Sequence, residues 1–103
     1  MNLPAQVQIG PWGWRVEPSS RIPSENDSMG ETSLDDHIIR LGHHITPEQA
    51  AVTFLHEMLH AVIFVYGVKE HLKDEEKTVK TLTHGLAQAL QSIGWMPREV
   101  DVD

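Results

Sequence analysis

The sequence predicts a small α+β domain in which an N-terminal antiparallel sheet of about three strands packs on two main helices. Two observations support this prediction. Residues 5–42 contain runs of β-branched and aromatic residues separated by turn-forming residues. Residues 46–94 contain two segments with apolar residues at helical spacing, and each begins at a capping residue and ends at glycine. Because the chain has 103 residues, we expect one domain that spans 1–103.

The first region with strand character is the segment AQVQIGPWGWRV, residues 5–16. Its valine, isoleucine and tryptophan residues favour extended backbone. Gly10, Pro11 and Gly13 interrupt the pattern, because glycine permits turns and proline lacks the amide hydrogen that a strand ladder needs. These three residues predict a bulge or a break within the region.

The segment EPSSRIPSENDSMG, residues 17–30, is rich in proline, serine, asparagine and aspartate, which predicts a long flexible loop. The overlapping segment MGETSLDDHIIRLG, residues 29–42, predicts two short strands joined by a turn at Asp35 and Asp36. We expect the second of these strands, near residues 37–41, to present a sheet edge to which an extended peptide could add.

The first helix has a clear start and stop in the sequence. Thr46 is placed to cap it, Pro47 suits its first position, and Gln49 completes a capping box with Thr46. We expect the helix to run to about Tyr66 and to stop at Gly67, because glycine readily adopts the left-handed conformation that ends helices.

The second helix is predicted to start near Asp74, which can cap it. Glu75 and Glu76 then fall in the first turn, where the helix dipole favours acidic side chains. Gly94 and Pro97 mark its end. Its apolar positions follow helical spacing and predict the face of the helix that packs on the domain: Val79, Leu82, Leu86, Leu90 and Ile93.

The composition limits the class of partner. The chain has no cysteine, which excludes disulfides and thiolate metal sites and makes the reducing cytoplasm the expected compartment. The 15 acidic residues outnumber the 8 basic ones, so the formal net charge is −7. The basic residues form no dense cluster. We therefore expect no nucleic-acid partner, since binding phosphates requires positive potential.

The sequence also predicts no membrane association. The longest apolar run, residues 61–68, is far too short to cross a bilayer. The N-terminal segment MNLPAQVQIG has no basic stretch followed by an apolar one, which is the pattern of a secretory signal.

The first predicted helix carries the pattern HExxH, which is typical of zinc metalloproteases, at His56, Glu57 and His60. Residues four apart are neighbours on one face of a helix, so both imidazoles can reach one ion. Glu57 lies about 100° round the helix axis from His56. It is therefore suited to accept a proton from a metal-activated water as a general base.

The surroundings of this motif are apolar. Apart from His56, Glu57 and His60, all residues from Phe54 to Val65 are hydrophobic. This is expected of a helix that is buried on most sides. Three unpaired polar groups there would each cost about 1–3 kcal/mol, and one shared metal ion would compensate them together. The alternative interpretation is a pair of hydrogen-bonded core histidines beside a partly exposed glutamate.

A catalytic zinc site uses three protein ligands and keeps one position open, so the third ligand must lie outside the motif. The sequence does not continue as HExxHxxGxxH, because residue 66 is tyrosine. The candidates are Glu75, Glu76, His71 and His84. Of the two glutamates, Glu75 lies nearer the apolar stripe and Glu76 lies at its border. Helix geometry leaves both open.

The segments HEMLHAVIFVYG and DEEKTVKTLTHGLAQAL resemble the compact gluzincin-type zinc metallopeptidases, the minigluzincin and ImmA/IrrE-like group common in phage and prophage proteins. The resemblance covers residues 46–94 well and the N-terminal strands loosely. It implies a zincin-like fold, one Zn²⁺ per chain, and a peptide or protein substrate. By position it makes His56 and His60 metal ligands, Glu57 the base and Glu76 the acidic ligand, with Glu75 as the rival.

The leading functional prediction is therefore a zinc-dependent metallopeptidase that hydrolyses peptide bonds through a metal-activated water. A second hypothesis is a catalytically silent, metal-stabilised binding or regulatory module, for example in phage regulation. Glu57 argues against it, because a purely structural site needs no base. A third hypothesis is a metal-free helical interaction protein.

Other polar and aromatic residues are weaker candidates for function. His84 could donate a hydrogen bond to an oxyanion, although an exposed helix histidine is the plainer interpretation. His43 and His44 are expected to be loop residues, because adjacent side chains do not easily enter one tetrahedral site. Trp12 and Trp14 could stack on a substrate but are more readily explained as core residues.

Overall fold

The computed structural model of the protein describes residues 3–19, 29–43 and 45–96 and confirms the predicted α+β class. An N-terminal sheet is followed by two helices joined by a short 3₁₀ turn. The elements are β1 (Gln6–Ile9), β2 (Trp12–Ser19), β3 (Gly30–Ser33), β4 (Ile38–Gly42), α1 (Pro47–Val65), the turn Lys69–His71, and α2 (Glu75–Ser92).

The sheet has four strands in the order β1-β2-β4-β3 and is mixed, where the sequence predicted about three antiparallel strands. The extra strand arises because the predicted break within residues 5–16 is a tight turn, with Ile9 paired to Trp12 across it. Gly10 has a φ of 61°, and a Cβ there would lie 2.7 Å from Cγ1 of Val65. Glycine is thus required both by the turn and by the close approach of α1.

The parallel pairing of β2 with β4 gives the sheet its mixed character. After β2, the chain forms the edge strand β3 first and returns through the hairpin as β4 between β2 and β3. Residues 17–19 pair with β4, so the prediction of a loop from residue 17 was wrong at its start, and Gly30 already belongs to β3. Residues 20–28 lie outside the described part of the chain.

The hairpin predicted for residues 29–42 is present, but its strands exchange the expected roles. β4 is an inner strand, so the prediction that residues 37–41 present a sheet edge was wrong. Among the described residues, β3 is the edge strand on this side. The difference arises because β4 is buried over most of its length, and a buried apolar strand is more stable between two partners than at an edge.

Both helices begin and end as the sequence predicted. The Thr46 hydroxyl accepts from the Gln49 amide at 3.2 Å, and the Gln49 side chain accepts from the Thr46 amide at 2.9 Å. Asp74 caps α2 by accepting from the Lys77 amide at 3.1 Å. Left-handed glycines follow each helix, with φ of 67° at Gly67 and 80° at Gly94. The further stop signal predicted at residue 97 lies outside the described residues.

The buried face of α2 differs from the predicted stripe. Val79 is buried as expected, but Leu82 and Leu86 are 47% and 42% exposed. The buried positions are instead Val79, Thr83 and Ala87, which form a straight i, i+4, i+8 row. The three buried side chains are smaller than the exposed leucines, and the row continues back to Glu75, which contacts α1.

The helix α1 packs on both the sheet and α2. One apolar cluster joins it to the sheet: Ile9, Trp14, Ile39, Leu41, Phe54 and Ala61. A smaller cluster joins it to α2 and the chain that follows: Ala51, Leu55, Ala87 and Met96. Within the described ranges, neither helix has the length and apolar character that crossing a membrane would require.

Candidate metal centre

The two histidines of the HExxH pattern lie side by side on α1. One helical turn separates His56 from His60, and their ring centroids are 5.0 Å apart. The helix α2 runs back along α1, because its first turn lies beside these histidines while Ala87 packs near Ala51 and Leu55. The capping of α2 by Asp74 therefore brings the next two residues, both glutamates, to the middle of α1.

The carboxylate of Glu76 bridges the two imidazoles. Its Oε1 lies 2.9 Å from Nε2 of His56, and its Oε2 lies 3.1 Å from Nε2 of His60. Within the described part of the chain, these three residues form a group whose potential ligand atoms all lie within 4.8 Å of one another. Both histidines are largely buried, whereas the side chain of Glu76 is about half exposed.

This spacing fits a tetrahedral zinc ion. Ligand atoms placed about 2.0–2.1 Å from such an ion lie roughly 3.3 Å from one another. The two oxygens of Glu76 approach His56 and His60 to 2.9 and 3.1 Å, and a set with one ligand atom from each residue spans at most 4.8 Å. The three residues therefore lie close enough to share one ion after small side-chain adjustments.

The other ring nitrogen of His60 contacts the second glutamate. Nδ1 of His60 lies 2.5 Å from Oε2 of Glu75, so both nitrogens of one ring face carboxylates. The contact at Nδ1 is a hydrogen bond, whereas the contact at Nε2 is a close approach of the ring to the carboxylate of Glu76. If an ion were bound at Nε2, the ring would donate its Nδ1–H to Glu75, as metal-binding histidines commonly do. The chemistry of the donor set thus fits a metal.

Sequence reasoning left Glu75 and Glu76 as alternatives for the third ligand, and the structure separates them. Glu76 lies on the same side as the two Nε2 atoms, and Glu75 lies behind the ring of His60. The distinction follows from the rotation of α2, because Glu75 heads the buried row of this helix and Glu76 falls 100° further round.

Glu57 lies in a cavity of about 490 Å³ that also exposes the histidine–glutamate group. It is buried, with an exposed fraction of 9%, and its Oε1 accepts a hydrogen bond from the hydroxyl of Thr32 at 2.7 Å. The cavity is lined from α1, α2 and the start of β3, by residues that include Gly30, His56, Glu57, His60, Glu76 and Lys80.

Three residues of this site were not predicted from the sequence. Thr32 and Gly30 come from β3, more than 20 residues before the motif, and no local pattern connects them to it. Lys80 had a usable signal, because it lies one helical turn after Glu76 and so shares its face of α2. No ion pair of Lys80 is present among the described residues, since its helix neighbour Glu76 turns toward the histidines.

The structure does not bring the weaker candidates to the site. His71 is exposed in the 3₁₀ turn, with Glu70 as its neighbour at 3.9 Å. His84 is exposed on α2 and does not line the cavity, whereas Lys80 does. The ring of His43 contacts the backbone oxygen of Ser19 at 3.3 Å. His44 lies outside the described residues.

The two tryptophans of β2 have different environments. Trp14 is fully buried in the core, and Trp12 is half exposed. The ring of His37 packs against both, with centroids 5.1 Å from Trp12 and 4.7 Å from Trp14. Neither tryptophan lines the cavity beside the motif.

Comparisons of the chain with protein-family models, with curated proteins and with solved structures find no match. The resemblance to compact gluzincins therefore stays a prediction that depends on the motif residues.

Proposed function

We propose that the protein is a zinc-dependent metallopeptidase of the compact gluzincin type. In this proposal His56, His60 and Glu76 hold one ion per chain, and Glu57 is the general base. The observation that supports it best is the convergence of two imidazoles and a carboxylate at ligand spacing, beside a buried glutamate in the same cavity. Two imidazoles and one carboxylate without a thiolate suit zinc.

The ion would supply a Lewis acid that polarises the scissile carbonyl and makes a water molecule more acidic. Glu57 takes a proton from the attacking water and delivers it to the nitrogen of the leaving amine as the C–N bond breaks. Glu75 holds the ring of His60 through Nδ1. Lys80 brings a positive charge to the cavity, where negative charge develops on the carbonyl oxygen.

The proposal extends to the setting of the protein. A chain without cysteine suits a reducing compartment, so we infer a cytoplasmic peptidase that acts on a peptide or protein substrate. The resemblance of the motif region further suggests a phage or prophage context.

Two measurements test this function. Elemental mass spectrometry on untagged protein purified without chelator should find about one zinc per chain, and none in the His56→Ala variant. The Glu57→Gln variant should keep its zinc and lose hydrolysis of a mixed peptide library, because the amide cannot act as a base. Absence of metal in the wild-type protein, or hydrolysis by Glu57→Gln, would contradict the proposal.

A catalytically silent, metal-stabilised module is the second candidate, and one contact favours it. The hydroxyl of Thr32 approaches both the side chain and the backbone oxygen of Glu57, so this glutamate also joins β3 to α1. A module without turnover would retain that use of Glu57. It predicts one zinc per chain and no hydrolysis of the library by the wild-type protein.

A further inference from the structure

We propose that Thr32 is a positioning residue for the general base, and that the edge strand β3 serves as its support. The catalytic meaning of this inference rests on the proposed function, because it requires Glu57 to be the base. The positioning itself is a property of the protein without metal. The sequence pattern of the motif does not include Thr32.

The contact between Thr32 and Glu57 is double. Oγ1 of Thr32 lies 2.7 Å from Oε1 of Glu57 and 3.1 Å from the backbone oxygen of the same residue. A hydroxyl has one hydrogen to donate, and the shorter bond to a carboxylate is the stronger one. Because the same oxygen touches both ends of Glu57, it fixes the direction of the side chain relative to its own backbone.

This bond leaves half of the carboxylate available. Among the described residues, the side chain of Glu57 accepts a hydrogen bond from Thr32 alone, and the accepting atom is Oε1. The second oxygen, Oε2, keeps its lone pairs for a water molecule in the cavity that Glu57 lines. A base needs this combination, since one oxygen sets the geometry and the other takes the proton.

The close approach of β3 to α1 makes the bond possible. Gly30 lies two residues before Thr32 and so faces the same side of the strand. A Cβ at Gly30 would lie 2.7 Å from Cγ2 of Thr53 and 3.2 Å from Cγ of Glu57. Only a residue without a side chain lets the strand come this near, and the hydroxyl of Thr32 then reaches the carboxylate.

The backbone of Thr32 is itself anchored in the core. In the hairpin, Thr32 pairs with Ile39 of β4, and Ile39 is fully buried in the apolar cluster between the sheet and α1. A hydroxyl on such a strand can hold a carboxylate within a narrow range of positions. A side chain on a loop would not do so as well, because loops are more mobile.

The test compares three variants of β3. Thr32→Val keeps the shape of the side chain and removes the donor, and Thr32→Ser restores the hydroxyl. Ser33→Ala is the matched control, because its hydroxyl bonds to Asp36 at 3.1 Å on the exposed side of the same hairpin. Zinc affinity is measured for each by competition with a chromophoric chelator and should match that of the wild-type protein within about threefold, since no metal ligand changes.

The first readout is the side-chain rotamer of Glu57 in metal-free protein, measured from three-bond couplings by NMR. We expect couplings of a single rotamer in the wild-type, Thr32→Ser and Ser33→Ala proteins, and averaged couplings in Thr32→Val. A single unchanged rotamer in Thr32→Val would overturn the proposal, whether or not the protein binds zinc.

The second readout is the affinity of the zinc-loaded protein for acetohydroxamic acid, measured by calorimetry. This probe chelates zinc and donates a hydrogen bond toward the base, so its affinity reports the position of Glu57. We expect binding about tenfold weaker in Thr32→Val, because Glu57 without its support loses the hydrogen bond to the probe, and affinity within about threefold of wild-type in Thr32→Ser and Ser33→Ala. Equal affinity in Thr32→Val and wild-type would overturn the role of Thr32 at the loaded site.

The two proposals fail in different ways. Protein that binds no zinc overturns the proposed function, and the rotamer measurement still decides whether Thr32 positions Glu57. Protein that binds zinc and acetohydroxamic acid without any effect of Thr32→Val leaves the metal site standing and removes Thr32 from it.

Discussion

Two adjacent glutamates contact opposite nitrogens of one histidine ring, and their different positions imply different effects on metal binding. Glu76 lies beside Nε2 of both His56 and His60, where an ion would bind. Glu75 contacts Nδ1 of His60 and orients the ring. One residue of displacement along α2 thus separates the proposed ligand from the residue that would orient another proposed ligand.

We predict that Glu75→Gln weakens zinc binding about 10–100-fold, which is the usual cost of losing a carboxylate that orients a metal-binding histidine. Glu76→Gln should weaken it at least about tenfold more than Glu75→Gln does, because it removes a charged ligand. Competition with a chromophoric chelator measures both constants. A larger loss in Glu75→Gln than in Glu76→Gln would exchange the two roles.

Whether a residue of the site could be predicted depends on how far it lies from the motif in the sequence. His56, Glu57 and His60 could be predicted because helix geometry alone brings positions i and i+4 together. The choice of Glu76 over Glu75 depends on the rotation of α2 about its axis, which the sequence does not determine. Thr32 could not be predicted, since its contact with Glu57 depends on the tertiary packing of an edge strand 25 residues away.

The helix α2 illustrates why its boundaries were predictable and its buried face was not. Asp74 and Gly94 are local signals for the two ends, and both hold. The leucines at 82 and 86 follow helical spacing as well as the buried row does. The row of Val79, Thr83 and Ala87 is buried instead, and which row is buried depends on how α2 packs in the fold, which is a tertiary property.

We predict that Thr83→Val stabilises the protein. The hydroxyl of Thr83 is buried and has no hydrogen-bond partner among the described residues. Its desolvation is therefore not compensated by a hydrogen bond. Valine has the same shape, and the free energy of unfolding should rise by about 1 kcal/mol. Urea denaturation measures the change.

Thr81→Val is the matched control for this substitution. It lies on the same helix, but its hydroxyl is exposed and donates to the Lys77 backbone oxygen at 2.9 Å. Its effect should stay within about 0.5 kcal/mol of zero, as for most surface substitutions. A destabilised Thr83→Val protein would indicate that the hydroxyl has a partner in solution.

The contact of β3 with α1 yields a second prediction about packing between elements. Gly30→Ala should lower the free energy of unfolding by about 1–3 kcal/mol, because the new methyl group would lie too close to Thr53 and to the backbone oxygen of Arg40. Thr53→Ser removes the nearest methyl group. In the double variant, part of the loss should be recovered, with a coupling energy of at least about 0.5 kcal/mol.

Chemical denaturation of the four proteins in this cycle measures the coupling between positions 30 and 53. Strictly additive effects would mean that α1 and β3 are further apart than the structure has them. A Gly30→Ala protein with the same free energy of unfolding as the wild type would contradict the close approach on which the bond from Thr32 depends.

In the described part of the chain, α1 packs against both the sheet and α2. The larger apolar cluster joins α1 to the sheet, and the smaller one joins α1 to α2. The sequence predicted these layers because each element has its own local signals. It did not predict the parallel pairing of β2 with β4, since that depends on the path of the chain between distant strands.

An ion held by His56, His60 and Glu76 would join α1 to α2 at the interface with the smaller core. Metal binding should therefore add directly to the stability of the folded chain. At a free zinc concentration about 100 times the dissociation constant, the expected gain is about 2.7 kcal/mol. For a domain of this size, that corresponds to a rise in Tm of about 10–20 °C.

Differential scanning calorimetry with and without zinc measures this rise in three proteins. The wild-type and Glu57→Gln proteins should gain equally, because Glu57 is the base and not a ligand in the proposed site. His60→Ala should gain little. An equal gain in His60→Ala would move the ion to other residues, and no gain in any of the three would mean that the histidines and glutamates of this interface are held by hydrogen bonds alone.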